Sequence, residues 1–316
     1  MRKKSQLELP EIRGNWATLL LPVEHETINF VMLEQQIDYY IEAGVDGIYS
    51  NGTAGEFYTQ SDEEFKNIST LLAKKCRRAE MPFQIGASHC HPQATLERVR
   101  FSASLKPRAI QVILPDWFPC SLDVAERFLR GVEKEADGVD IVLYNPPHAK
   151  VNLSAKELLY LYQNIETLVG FKLARITPEI EKTGLPLVAS IFVAGHFLAT
   201  DAYKGAKGAY SNVCCLNPTA AQRWTEQCLS LDPQALELET RIQRFMEREI
   251  APYIVDEGYS NAAADKFMAA MGGWCNITPT MRFPYASIPA KFIAPKAKKR
   301  KMYLPEFQLV PTEATN

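Results

Sequence analysis

The sequence predicts an α/β fold, a (β/α)8 TIM barrel with a C-terminal helical extension. Three observations predict it. Eight short apolar runs alternate with amphipathic segments of helical period. Each run is apolar almost throughout, as strands of a parallel sheet covered on both faces are. The eighth run ends near residue 215, and beyond it the pattern turns purely helical. Eight such units match the size of a barrel, whereas a doubly wound open sheet, the plainer alternative, does not require that number.

The strand-like runs cover 16–23, 44–52, 82–88, 109–115, 139–147, 168–174, 187–195 and 208–215. Helix candidates between them include 29–44 and 61–76. The second opens with Ser61 and has Glu64 three residues on, the pattern of a capping box in which each side chain serves the other's backbone N–H. After residue 216 come three helical stretches, 217–231, 232–258 and 260–273. This divides the chain into a barrel over 1–230, which holds the active site, and a helical extension and tail over 231–316.

Composition narrows the function. The 316 residues carry 35 Lys+Arg and 37 Asp+Glu, a net charge of −2, so a dedicated nucleic-acid binder is not expected. At 47% hydrophobic and 23% charged the chain can bury a large core, which excludes disorder, collagen and coiled coil. Its seven cysteines are scattered and form no CxxC pair, as suits reduced thiols in the cytoplasm. The basic start has no apolar stretch behind it and so does not read as a signal peptide. No run approaches the ~18 apolar residues of a membrane helix. The basic segment 295–301 is most simply a solvated surface rather than a nucleic-acid patch.

In a barrel, chemistry sits where strands end and the following loops begin. Directly after the second run stands Gly52-Thr53-Ala54-Gly55-Glu56. Two glycines around a hydroxyl residue allow a tight turn whose N–H groups converge on an anion, or simply a connection. Lys172 lies among apolar residues in the sixth run. Desolvation there lowers its pKa and leaves free amine to attack a ketone, although a strand-end lysine can equally snorkel to solvent. Tyr144-Asn145-Pro146-Pro147 ends the fifth run, where the prolines stop the strand and Tyr144 either offers its phenol to the site or packs in the core. All five histidines fall at the ends of odd-numbered runs. His89 and His91 have the spacing that points two imidazoles the same way, the raw material of a metal-dependent TIM-barrel hydrolase. No carboxylate cluster accompanies them, so no metal ligand set is assigned.

Segment 37–65, IDYYIEAGVDGIYSNGTAGEFYTQSDEEF, resembles the dihydrodipicolinate synthase / N-acetylneuraminate lyase superfamily. Tyr144-Asn145-x-Pro147 and then Lys172 follow in that family's order and spacing, and Gly208-Ala209-Tyr210-Ser211 is similar to its eighth-strand segment. The resemblance covers most of 14–290. It implies a barrel, class I chemistry through a lysine–pyruvate Schiff base with no cofactor beyond the covalent imine, and a homotetramer or homodimer. It implies that Lys172 is the nucleophile and Tyr144 the acid/base. Thr53, with the N–H groups of Ala54 and Gly55, would hold the pyruvate carboxylate. The imine acts as an electron sink, and a tyrosine beside it has its proton made more labile.

The departures from the family's pattern redirect the second substrate. The second hydroxyl of the glycine turn is Ala54 here. The arginine that dihydrodipicolinate synthases carry five residues after the tyrosine is Ala149, a loss of a charge-assisted bond worth about 1.5–3 kcal/mol. The tyrosine those enzymes lend across a subunit interface aligns with Asp116-Trp117-Phe118, and Trp117 has no hydroxyl to relay a proton. Lysine biosynthesis is therefore not expected. Trp117, Tyr210, His148 and His196 would line a pocket for a 2-keto-3-deoxy sugar-type acid, cleaved or formed by a carbon–carbon lyase. A carbon–oxygen hydro-lyase on the same scaffold, or a synthase-like condensation, is the nearest alternative.

Overall fold

A computed structural model of the chain describes residues 12–309. The signal-peptide reading falls on 1–11 and the end of the tail on 310–316, both outside the described residues. Eight parallel strands close into a barrel: β1 (Gly14–Thr18), β2 (Gly47–Ser50), β3 (Phe83–Gly86), β4 (Ala109–Ile113), β5 (Ile141–Tyr144), β6 (Leu168–Lys172), β7 (Ser190–Ala194) and β8 (Gly208–Tyr210). Each strand pairs with its sequence neighbours, and β8 pairs with β1 to complete the ring. The helices between them include α1 (Phe30–Glu42), α2 (Asp62–Arg78), α3 (Pro92–Ser104), α4 (Leu122–Ala136) and α5 (Ala155–Asn164). Three shorter helices follow, α6 (Pro178–Lys182), α7 (Leu185–Val188) and α8 (Leu198–Ala202), and then α9 (Pro218–Leu229).

The near-continuous apolar runs divide into two cores, because successive side chains of a strand point to opposite faces. Ile48, Ile110, Leu143 and Ile191 face outward and pack under the helices. Trp16, Tyr49, Val142, Phe192 and Tyr210 face inward and fill the barrel. The interior also takes polar groups in pairs: the Tyr49 hydroxyl donates to Gln111 and the Tyr210 hydroxyl to Gln84.

The capping box forms as the sequence implied. Ser61 Oγ accepts from the Glu64 N–H at 3.2 Å, and a Glu64 carboxylate oxygen accepts from the Ser61 N–H at 2.8 Å. The first strand ends earlier than its apolar run. Leu19, Leu20 and Leu21 are buried beyond it, with the Leu20 N–H and C=O bonded to the Gln36 side chain of α1 in place of a strand neighbour. A short hairpin, Val23–Glu24 against Thr27–Ile28, follows.

Beyond α9, α10 (Pro233–Phe245) runs into a wide π turn, Met246–Ile250, and then α11 (Ala251–Val255), α12 (Asn261–Gly272) and α13 (Ile293–Tyr303). The basic segment 295–301 lies on α13 and is less solvated than its charge suggested. Arg300 is buried and donates to the carbonyls of Leu216 and Phe307, and Lys296 pairs with Glu249. Seven free cysteines are present, of which Cys90 is exposed. Among the described residues no helix is long and apolar enough to cross a membrane.

Candidate active site

Tyr144 and Lys172 end adjacent strands and stand opposite each other in register. The Lys172 Nζ lies 4.2 Å from the centroid of the Tyr144 ring, 5.1 Å from Tyr210 and 5.8 Å from Tyr49. Tyr49 and Tyr210 reach it because both point into the barrel, edge to face with each other. This aromatic surround desolvates the amine. Burial pulls the Lys172 pKa down to about 8, against the charge of Asp265, which raises it. Burial pushes Tyr144 up to about 12, with Asp265 adding to the rise. In the free enzyme, then, burial dominates at Tyr144; the expected lability belongs to the phenol beside a cationic imine.

The glycine turn after β2 places Thr53 and Ala54 on the same cavity as Lys172. Its left-handed residues are Asn51 (φ 54°) and Glu56 (φ 52°), so the glycines serve another purpose. A Cβ on Gly52 would sit 2.4 Å from the Tyr49 ring; the turn needs close approach there rather than a positive φ. The Glu56 N–H bonds the Thr53 carbonyl and the Phe57 N–H that of Gly52. Among the described residues the N–H groups of Ala54 and Gly55 take no part in the turn's own hydrogen bonds.

The rest of the cavity comes from β7, β8 and the extension. His196 Nδ1 and the Asn212 side-chain amide are hydrogen-bonded at 2.9 Å, and burial lowers the histidine's pKa against that bond. On α12, Asn261, Ala264, Asp265 and Met268 recur at helical spacing and all line the cavity. Burial raises Asp265 to about 7, opposed by the charge of Lys172. The neighbouring Lys266 ties α12 to the glycine turn through a buried ion pair with Glu56.

Lys172, Tyr144, Thr53, Ala54, Tyr210 and His196 thus line one cavity of about 340 Å3. Gly55 is buried behind the turn. Two expected lining residues stand elsewhere. His148 lines a separate small cavity of about 70 Å3, with Asp116 and Ala149. Trp117 is 79% exposed because its loop is held to the loop after β5: Lys150 Nζ bonds the Trp117 carbonyl at 2.9 Å and lies 4.7 Å from its ring. His89 and His91 are occupied at the start of α3, where His89 Nδ1 accepts from the His91 N–H and His91 Nδ1 from the Ala94 N–H. Among the described residues no group of three His, Cys, Asp or Glu side chains could hold a metal ion.

Sequence reasoning missed Thr18, Ser211, Asn212 and Asp265, and it placed the site wholly within 1–230. The extension supplies a whole wall, including Met246, Ile250, Ile254 and Met268. A signal for Asp265 existed: it is the one carboxylate on a helix face that otherwise carries Asn261, Ala264 and Met268.

The profile of the dihydrodipicolinate synthetase family matches residues 12–288. A 4-hydroxy-tetrahydrodipicolinate synthase of Thermomicrobium roseum is 28% identical over 164 residues, 51% of this chain and 53% of that protein. An N-acetylneuraminate lyase of Escherichia coli is 26% identical over 141 residues, 43% of this chain and 46% of that protein. The matched segment spans about half the length of these curated relatives. In three dimensions the fold is similar to that of a putative dihydrodipicolinate synthetase from Pseudomonas aeruginosa, with a TM-score of 0.81 and 19% identity over 94% of this chain and 100% of that one.

Proposed function

The chain belongs to the dihydrodipicolinate synthetase family, and from that premise we propose that it is a class I, pyruvate-dependent aldolase that cleaves or forms a 2-oxo acid through an imine on Lys172. The observation that carries this reading is the Lys172 amine itself, desolvated among three tyrosine rings with its pKa near 8 and facing a ligand-sized cavity.

The residues divide the work as follows. The free amine of Lys172 attacks the ketone carbon of the 2-oxo acid, and the carbinolamine loses water to give a protonated imine. Tyr144 gives its proton to the departing hydroxyl. In the cleavage direction the deprotonated phenol then takes the proton of the substrate hydroxyl as the C–C bond breaks. The electron pair passes to the imine as a neutral enamine, an aldehyde leaves, and protonation and hydrolysis release pyruvate and the amine. Thr53 and the N–H groups of Ala54 and Gly55 hold the carboxylate, a role supported by their place in the turn. Asp265 stabilises the ammonium and iminium charge on Lys172.

Further copies of the chain and a cytoplasmic site belong to the same reading. They are supported by the exposed neighbours Trp117 and Phe118 and by seven free thiols. The test of the reaction is intact mass after incubation with pyruvate and borohydride. A stable pyruvyl adduct is expected on the wild type and not on Lys172→Ala. A wild type that takes up no pyruvyl mass counts against the proposal.

A further inference from the structure

We infer that the aldehyde half of the substrate is an apolar aldehyde, with a hydrocarbon body, rather than a sugar-like polyol. The inference rests on the aldolase reading and deepens it.

The cavity has two kinds of wall. Strand ends supply the reacting groups, Lys172, Tyr144 and Thr53, with His196 and Asn212 bonded to each other. The C-terminal extension supplies the other wall, where Met246, Ile250, Ile254 and Met268 present only carbon and sulfur. Leu173 and Phe197 continue that apolar surface on the strand side.

The apolar wall follows from a local irregularity. In the π turn the Ala251 N–H bonds the Met246 carbonyl, five residues back, and Pro252 has no N–H to restore the usual ladder. Met246, Ile250 and Ile254 then recur every four residues along this widened stretch, on the face that meets the cavity. Helix α12 adds Ala264 and Met268, and its one carboxylate, Asp265, faces the same cavity as Lys172. Asn261 is the other polar side chain this wall offers.

A polyol carries a hydroxyl on nearly every carbon, and each one placed against this wall loses its bonds to water without replacement. A hydrocarbon body gains instead, because each methylene moved out of water is worth a factor of about four in affinity. The volume agrees: about 340 Å3 is at the small end of ligand sites, enough for a 2-oxo acid with a short or aryl side chain.

The test measures condensation of pyruvate with the straight-chain series from propanal to hexanal, and with glyceraldehyde and erythrose. Borohydride trapping of the pyruvyl adduct is run on the same preparation. The expected result is a kcat/KM that rises about fourfold per methylene until the cavity fills, with both polyols below butanal. A flat series, or erythrose above butanal, with the adduct present overturns this inference and leaves the aldolase reading standing. No adduct on the wild type removes both. In Ile254→Asn the factor per methylene is expected to fall, and in Ile254→Leu to persist. Because this factor compares substrates on one preparation, it does not depend on how much of the variant folds. An unchanged factor in Ile254→Asn also overturns the inference.

Discussion

Glu56 and Lys266 form an ion pair in which neither side chain is exposed. Glu56 ends the glycine turn in a left-handed conformation and also accepts from the Arg282 N–H at 3.0 Å. Lys266 stands on α12, next to Asp265, and donates to the Thr280 carbonyl at 2.6 Å. The turn and the helix that carries the cavity's carboxylate are thereby held to each other through the protein interior.

Breaking this pair from one side strands the other charge without water. Lys266→Met is therefore expected to cost about 3–5 kcal/mol. Glu56→Leu combined with Lys266→Met is expected to recover most of that loss, since no buried charge remains. Denaturant unfolding of the two variants beside the wild type checks this. A double variant as unstable as the single one would show that the loss comes from packing.

The pH dependence follows from Lys172. Its amine is protonated and unreactive below about pH 8 and free above it, so the rate of imine formation is expected to rise about tenfold per pH unit and level off above about 8. Asp265 raises the lysine pKa through its negative charge. Asp265→Asn removes that charge and is expected to move the levelling point to lower pH. Stopped-flow trapping of the adduct across pH 6 to 10 measures it, and a point that moves upward contradicts the assigned interaction.

Tyr144→Phe keeps the ring packed against the Lys172 amine and removes only the proton. Its kcat is expected to fall by about 10² to 10⁴, the usual contribution of a positioned acid/base. The pyruvyl adduct should still accumulate on long incubation, because the amine remains. Activity within a few-fold of wild type would assign the proton transfers to another group.

Much of this was legible in the chain. Eight apolar runs became eight strands because a sheet covered on both faces needs no polar alternation. Lys172 and Tyr144 were legible as strand-end residues, and the structure places them opposite each other. Their electrostatics were not, since the rise of Tyr144 to about 12 depends on how much of the ring the surroundings cover. His148 and Trp117 lie in the loops after β5 and β4, and loop direction is set by contacts such as Lys150 with Trp117, which no local pattern encodes.

The sequence by itself determined the barrel and set the lysine, the tyrosine and the glycine turn at strand ends, because period, turn chemistry and strand ends are local properties; their assignment to one site came from the family resemblance. Only the tertiary structure decided what lines the rest of the cavity. Its far wall comes from residues 246–268, folded back over the strand ends by contacts such as Lys266 with Glu56, distant in sequence. A residue's neighbours across such a distance are chosen by packing, and packing is a property of the whole chain.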